Sequence, residues 1–558
     1  MTVYVPLPGS KKSLLPNSRP AGPVNPSELA SLTVRVRSAG DPKALQKRVY
    51  EQAAKPLAKR EYLTHEQLAE QHGASKEDLD KVEAFAQQHD LFVVRRSAPA
   101  RTIELRGKLA DLRAAFHADV GMYHHSTGTY RGRQGEIAVP QELQPIITGV
   151  FGFDTRPKHR ATTSGRRSTP SPGKTSGASG ANRARKAASA KGSAAAAGPG
   201  GQNGVASTEF ASRYNFPTQS NGTKLDGTGQ TIAIIELGGG YRTSDLKVFF
   251  HEIGVKTPTV ASISVDTAAS NPTTADSADG EVMLDIEVAG AAAPNATFAV
   301  YFAPNNGDKG FIDAISAAVH DAERKPSVIS ISWGGPEDPT DQMGINEFHD
   351  LFASAGALGI TVCVAAGDHG TADEISGQWD GKIHVDHPAC DDLVLACGGT
   401  QIDNGIDVVW NDGTPLDQGG WATGGGISEV FTVPSYQTAA NKIISIDDGK
   451  PGRGVPDIAM SATNYFTRVD RQEGASGGTS AVAPLMAALV ALLNQGKQKN
   501  VGFLNPFLYS NVAKGVVHDV TSGTNAITNT VKGYNAGPGW DPCSGLGTPD
   551  GTAILNNL

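Results

Sequence analysis

Ser480 is the residue of this chain best placed for covalent chemistry. It lies in SGGTSAVAPLMAAL (476–489), where the Gly-rich turn Gly478-Thr479-Ser480 runs straight into an apolar stretch with helical spacing. A hydroxyl there stands at a helix N-terminus, where orphan N–H groups and the dipole favour developing negative charge. A nucleophilic Ser also needs a base, whereas an N-cap Ser needs none. DGEVMLDIEVAGAAAP (279–294) offers one: Glu281 and Asp285 are four residues apart and share one face of a helix. Like charges that close hold a shared proton. Such a pair can take a proton from Ser and return it to a leaving amine. A solvated acidic face is the plainer reading, but the flanking residues are Val, Met, Leu, Ile, Val and Ala.

Asp368 ends an apolar run in AAGDHG (365–370). Buried there, it must be protonated or paired, and a protonated Asp can donate to an oxyanion; a turn-forming Asp before Gly is the alternative. Glu236, ending IIE in IIELGGGY (234–241), could hydrogen-bond to the carboxylate pair. The GGG there lacks the spacing of a nucleotide-binding loop. Trp333 in SISWGGPE (330–337) could shield Glu281 and Asp285 from water, or be an ordinary core residue. HDVTSG (518–523) and AGPGWDPC (536–543) set Asp519 and Asp541 beside Gly-rich backbone. Two carboxylates with main-chain carbonyls suit Ca²⁺, although each Asp alone reads as turn chemistry.

The elements that position these residues follow from periodicity. TIAIIEL (231–237), SVISIS (327–332) and ITVCVAAG (360–367) are strands, with helices predicted at 244–253, 278–293, 310–321 and 342–358 between them. That alternation argues an α/β fold, a parallel sheet covered by helices on both faces, with its site beyond the carboxyl ends of the strands. Residues 25–156 read as a smaller α+β unit: strands at 31–38, 91–97, 102–107 and 136–140, and helices at 64–75, 75–90 and 110–118, with Ser75 as an N-cap. Residues 157–205 are Ser, Gly, Ala, Pro and basic residues, with no acid between Asp154 and Glu209. Such a stretch cannot order itself and is predicted to be a flexible linker, where proteases cut. The domains are therefore 1–156, 157–205 and 206–558.

At 558 residues two or more domains are expected. No continuous apolar stretch reaches the ~18 residues of a membrane span, and the N-terminus lacks the apolar core of a signal peptide. Cys363, Cys390, Cys397 and Cys543 form no CxxC pair; Cys390 and Cys397 could pair if their strands run side by side, and buried free thiols are the alternative. Residues 1–205 carry 31 Lys+Arg against 17 Asp+Glu, a net of +14, and the remainder 18 against 40, a net of −22. The two parts should attract each other at neutral pH. No aromatic-interleaved or helix-borne basic motif points to nucleic acid.

Together these residues resemble the sedolisin family of serine-carboxyl peptidases, and its kumamolisin-like members above all. The matching segments are IAIIELGGGY (232–241), DGEVMLDIEVAGA (279–291), YFAP (301–304), SISWGGPED (330–338), AAGD (365–368), LACGGT (395–400), WNDG (410–413), GRGVPD (452–457), GGTSAVAP (477–484) and AGPGWDPCSGLG (536–547). The resemblance implies a subtilisin-like fold preceded by a ferredoxin-like propeptide domain, with the processing site in the linker. It implies that Ser480 is the nucleophile, Glu281 its base supported by Asp285, Asp368 the oxyanion-hole acid, and Glu236 and Trp333 supporting groups. One structural Ca²⁺ would be held by the side chains of Asp519 and Asp541 and the carbonyls of Val520, Gly537 and Gly539. The implied protein is an acid-acting, extracellular endopeptidase, a self-processing zymogen whose partners are protein or peptide substrates and its own propeptide, expected to be a monomer with no membrane partner. Two other readings stay open: a catalytically silent binding scaffold, and a conventional subtilase. The latter would need a His on a helix; His369-Gly370-Thr371 superficially resembles the subtilisin HGT but leads into TADEISGQ, so His369 is discounted as a base.

Overall fold

Two segments of unlike pattern build the two halves of the molecule. The computed structural model describes residues 2–15, 17–125, 128–156, 159–161, 164–167, 204–374, 379–438, 443–527 and 532–558, with backbone alone at 164–167. In the first half β1 (Leu29–Val36), β2 (Phe92–Ser97), β3 (Thr102–Lys108) and β4 (Ile147–Phe151) form an antiparallel sheet in the order β2-β3-β1-β4. Helices α1 (Pro42–Ala53) and α2 (Lys76–Gln88) lie between β1 and β2, and α3 (Leu109–Phe116) between β3 and β4. This is the expected ferredoxin-like arrangement. Ser75 caps α2, accepting from the Asp78 amide at 3.0 Å. Val82 and Phe85 of α2 and Leu112 and Phe116 of α3 are buried against the strand residues Leu32, Val34, Ile103 and Leu105. Helix α1 is an addition to the sequence reading, yet its signal is present: Asp41 caps it and Pro42 opens it.

Next come β5 (Arg160–Ala161) and β6 (Ser164–Arg167), within the stretch predicted to be flexible. They are strands because the second half supplies partners for them. Composition dictates only that such a stretch cannot fold alone; its backbone can still join an existing edge. Apart from these strands and His159, residues 157–203 lie outside the described residues.

The second half contains β7 (Thr231–Glu236), β8 (Thr259–Ser264), α4 (Asp279–Ala292), β9 (Thr297–Phe302), α5 (Asp308–Val319), β10 (Val328–Ile331), β11 (Trp333–Pro336), α6 (Gln342–Ala357), β12 (Thr361–Ala365), β13 (Leu395–Asp403), β14 (Ile406–Val409), β15 (Ile458–Ser461), β16 (Tyr465–Val469), β17 (Gln472–Gly477) and α7 (Thr479–Lys497). The eight-stranded sheet runs β8-β9-β7-β10-β12-β13-β14, with β15 beside β13. Its pairs are parallel except β13 with β14. Helix α7 passes through the core. Its length and composition would suffice to cross a bilayer, but its apolar window is 89% buried inside the protein, as a core helix is. All four cysteines are buried free thiols, so Cys390 and Cys397 do not pair. The sheet sets the Cys397 thiol beside that of Cys363 on the neighbouring strand instead.

The ferredoxin-like half docks on α5 and α6. Thr33 donates to Asp313 at 2.7 Å. Lys12 pairs with Asp308 at 2.8 Å and Asp341 at 3.1 Å, Arg35 with Glu347, and Arg101 with Asp350 at 3.1 Å. Each pair joins a cation of the basic half to a carboxylate of the acidic half, as the charge division requires.

Candidate active site

Every singled-out chemical group of the second half except the C-terminal acid pair meets at the carboxyl ends of the parallel strands. Glu236 is the last residue of β7, and Glu281 and Asp285 occupy the first two turns of α4. Trp333 follows β10, Asp368 follows β12, and Ser480 is in the first turn of α7. Gly478 makes the entry into α7 at φ 107°, a conformation that favours glycine.

Asp285 is fully buried and accepts the Ser332 hydroxyl, whose oxygen is 3.0 Å from both carboxylate oxygens. The same hydroxyl reaches the Ser480 carbonyl at 3.4 Å. Trp333 donates its indole N–H to Glu236 at 3.0 Å, so it touches Glu236 directly, beside the pair it was expected to shield. Burial pushes the carboxyls of Glu236, Glu281 and Asp285 well above their ordinary range, and the Asp285 charge adds to this at Glu236 and Glu281. Hydrogen bonding from Ser480 opposes the rise at Glu281, and from Ser332 and Glu281 at Asp285. Neither Glu281 oxygen has a partner of full hydrogen-bond geometry, a looseness common where substrate must complete the network. A buried carboxyl cluster of this kind keeps protons at a pH where exposed carboxyls have lost theirs, and can pass one to or from the adjacent hydroxyl.

Asp368 is 1% exposed. Its Oδ1 accepts two bonds from Thr479, from the amide at 2.7 Å and from the hydroxyl at 2.8 Å. Its Oδ2 has no partner. Burial lifts the carboxyl to about 7, the Thr479 bonds opposing the rise. With Oδ1 occupied as an acceptor, a proton belongs on Oδ2, where it is free to be donated. His369 is held neutral, its pKa lowered to about 3 by burial and next by Arg160, which agrees with discounting it as a base.

Sequence reasoning missed three things here. The motifs of Thr479 and Ser332 give these residues no role by pattern alone; their hydroxyls orient Asp368 and Asp285. Strands β5 and β6 line the cleft: Arg160 and Ala161 pair antiparallel with Gly334 and Trp333, and Ser164 and Arg167 with Gly477 and Ala475. Arg160 forms an ion pair with Glu374, donates to the Asp373 carbonyl at 2.6 Å, and faces the buried Asp373 and Asp386 carboxyls. Gly334 is required there, since a Cβ would come within 2.1 Å of Asp386 Oδ1.

The C-terminal acids form a separate cluster. Asp519 accepts from the Gly539 amide at 2.8 Å, and Asp541 from the Gly537 amide at 3.1 Å. Asp541 also accepts from the Cys543 and Ser544 amides, both at 2.9 Å, and the Ser544 hydroxyl reaches the Val520 carbonyl at 3.4 Å. The five residues read from the sequence, Asp519, Val520, Gly537, Gly539 and Asp541, are thus gathered at one place. They offer oxygen donors only, the chemistry a hard cation requires.

Comparison with known proteins agrees with this geometry. Residues 16–156 match the pro-kumamolisin activation domain and residues 260–534 the subtilase family. The chain is 43% identical to kumamolisin of Bacillus sp. (strain MN-32), over 99% of this chain and 96% of that protein. It is 29% identical to sedolisin of Pseudomonas sp. (strain 101), over 88% and 80%, and 27% identical to human tripeptidyl-peptidase 1, over 100% and 96%. The crystal structure of Pseudomonas sedolisin, a serine-carboxyl proteinase complexed with two molecules of pseudo-iodotyrostatin, superposes with a TM-score of 0.55 at 30% identity, covering 64% of this chain and 98% of that one. A carboxyl cluster around a helix-borne serine, on a subtilisin-like sheet behind an activation domain, places this chain in the kumamolisin–sedolisin family of serine-carboxyl peptidases.

Proposed function

We propose that the protein is an acid-acting endopeptidase, in which residues 1–156 are an inhibitory propeptide, 157–205 the segment that is cut, and 206–558 the enzyme. Ser480 attacks the scissile carbonyl and Glu281 takes its proton, with Asp285 sharing charge and proton with Glu281. Asp368, protonated, donates from Oδ2 to the oxyanion. Glu281 then protonates the leaving amine, and water hydrolyses the acyl-enzyme by the reverse proton path. Glu236 and Trp333 keep the carboxyl network buried. The observation that carries this reading is the orientation of Asp368: both Thr479 donors on one oxygen, the other oxygen unpartnered, and a pKa lifted to about 7.

Acid dependence follows from two requirements. Asp368 must hold its proton, which fails above about 7, and Glu281 must be able to accept one, which fails in strong acid. Burial raises the Glu347 carboxyl, so acid protonates it, removes its ion pair with Arg35 and loosens the propeptide. A series from pH ~3 to 8 on the full-length protein, following chain length and hydrolysis of a denatured protein, tests the reading. Hydrolysis confined to acid and accompanied by loss of the N-terminal half is expected; a neutral optimum would exclude the carboxyl relay, and inactivity throughout would favour the silent scaffold.

The Asp519–Asp541 cluster fits one structural Ca²⁺, which would neutralise its two carboxylates and tie two loops together. Chelation is expected to lower the melting temperature at neutral pH and added Ca²⁺ to restore it. Asp541→Asn should melt near the chelated wild type and respond little to Ca²⁺; an equal Ca²⁺ response in both proteins would remove the assignment. The family points to an extracellular monomer acting on proteins or peptides.

A further inference from the structure

We infer that Glu287 is a positioning residue for the reaction: it ties α4, which carries Glu281 and Asp285, to the β16–β17 hairpin, which delivers Ser480. The inference rests on the reading of Ser480 as nucleophile and Glu281 as base, and adds what fixes the distance between them. Glu287 is a carboxyl that the proton path leaves unused, yet it is fully buried on α4. Burying a carboxyl is costly unless a polar partner offsets the loss of water. Two residues along a helix turn a side chain by about 200°, so Glu287 points away from the face that carries Asp285. There its Oε2 accepts the backbone amide of Arg468 at 3.0 Å, 181 residues on in sequence. Arg468 lies in β16, opposite Glu473 of β17. β17 ends at Gly477, and three residues later the chain reaches Ser480. One helix thus holds the base on one face and the hairpin leading to the nucleophile on another.

The hairpin is held at its far end as well. Its turn, Asp470-Arg471, puts two non-glycine residues in left-handed backbone, at φ 48° and 65°, a conformation that persists where the surroundings hold it. Asp245, buried on the helix Thr243–Glu252, accepts the Arg471 amide at 3.0 Å. Arg242 donates to Asp470 at 2.6 Å. The Arg468 guanidinium pairs with Glu473 across the hairpin and comes within 3.6 Å of Asp245. At the near end the Gly478 amide donates to the Ala462 carbonyl at 2.7 Å, and the Thr467 and Ser476 hydroxyls meet at 2.9 Å. The turn therefore sits on one helix, while Glu287 fastens the middle of the hairpin to the helix of the base. Without the Glu287 acceptor the Arg468 amide loses its partner, and the hairpin is released to shift against α4. Proton transfer from Ser480 to Glu281 needs hydrogen-bond reach, and a small misplacement of reacting groups is costly in rate.

The test measures kcat and KM for one peptide in acid, on the full-length protein after acid treatment, with the melting temperature of each variant recorded beside them. Glu287→Met keeps the volume and removes the acceptor. Its kcat is expected to fall roughly tenfold, the cost of leaving one buried amide unpaired, while KM stays, since Glu287 does not touch substrate. Glu287→Gln keeps both reach and an acceptor oxygen and should recover most of the rate. Glu287→Asp keeps the carboxyl but loses reach, and should fall with Glu287→Met. The Gln and Asp variants decide the matter even where the Met variant does not fold. A kcat per folded molecule equal to wild type in the Met and Asp variants, with melting temperature alone lowered, would overturn the inference. So would a loss carried by KM, or a Gln variant as slow as Met. Ser480→Ala goes through the same assay. If it hydrolyses the peptide, the nucleophile reading falls and takes this inference with it; if it is inactive while the Glu287 variants match wild type, this inference alone falls.

Discussion

Replacing Ser480 by Ala is expected to leave the full-length chain intact at every pH and to lower kcat for peptide hydrolysis by on the order of 10⁴ to 10⁶. The Ser480 hydroxyl hydrogen-bonds to Glu281, and Ala leaves no oxygen at that position to attack. Glu281→Gln should cost a comparable factor, because nucleophile and base act as a unit and their losses do not add. The double variant should be little worse than either single one. Gln keeps the volume of Glu in a site that is 2% exposed, so circular dichroism and melting at acid pH should be unchanged; a fold intact with activity lost separates chemistry from structure. An Ser480→Ala protein that still trims its own N-terminal half in acid, free of contaminating peptidase, would contradict the assignment.

Asp368→Asn should separate stability from activity, with a sign set by pH. In the folded protein the carboxyl holds its proton up to about 7, against the ordinary 3.8. Below 3.8 both folded and unfolded chains are protonated and the group contributes nothing. Between the two values the unfolded chain releases its proton while the folded one retains it, so stability falls as pH rises. Above about 7 the full penalty is present, roughly 4 kcal/mol for a shift of this size. Asn removes it while still accepting the Thr479 bonds through its carbonyl oxygen. The variant should therefore melt several degrees higher than wild type at pH ~8 and equally at pH ~3. Its amide can donate at any pH, so the remaining activity should persist to higher pH. Asp368→Ala, which cannot donate, should lose about 10²–10³ in kcat, more than Asp368→Asn. An alkaline limb that does not move in Asp368→Asn would show that another group sets it.

The Ca²⁺ experiment probes a part of the molecule distant from this chemistry. Together with the pH series it separates the proposed acid dependence of the site from the proposed cation binding of the C-terminal loop cluster.

Local pattern determined what could be built. The alternation of apolar strands with helices specified a parallel sheet, because a strand buried on both faces must be apolar throughout. The four-residue spacing of Glu281 and Asp285 placed both on one face of α4 before any fold was known. Ser75 capped its helix as read, since capping is decided within four residues. The charge division between the two halves also reached the structure as the pairs of Lys12, Arg35 and Arg101. Even the missed helix α1 was legible in Asp41-Pro42, a cap followed by a residue preset for the first turn.

Tertiary structure alone decided the rest. β13 contains LACGGTQID, whose paired glycines break any strand pattern; it is a strand because β12, β14 and β15 pair with it. Ser332 and Thr479 orient carboxylates 47 and 111 residues away in sequence. The acidic pocket joins Asp373, Glu374 and Asp386 to Arg160, over 200 residues upstream. A segment whose composition dictates disorder in isolation becomes a pair of strands where the cleft offers backbone partners. Sequence fixes what a residue can do with its near neighbours. Which carboxyl carries a proton, and which stretch of chain pairs with β11 and β17, depend on burial and on partners that only folding brings together.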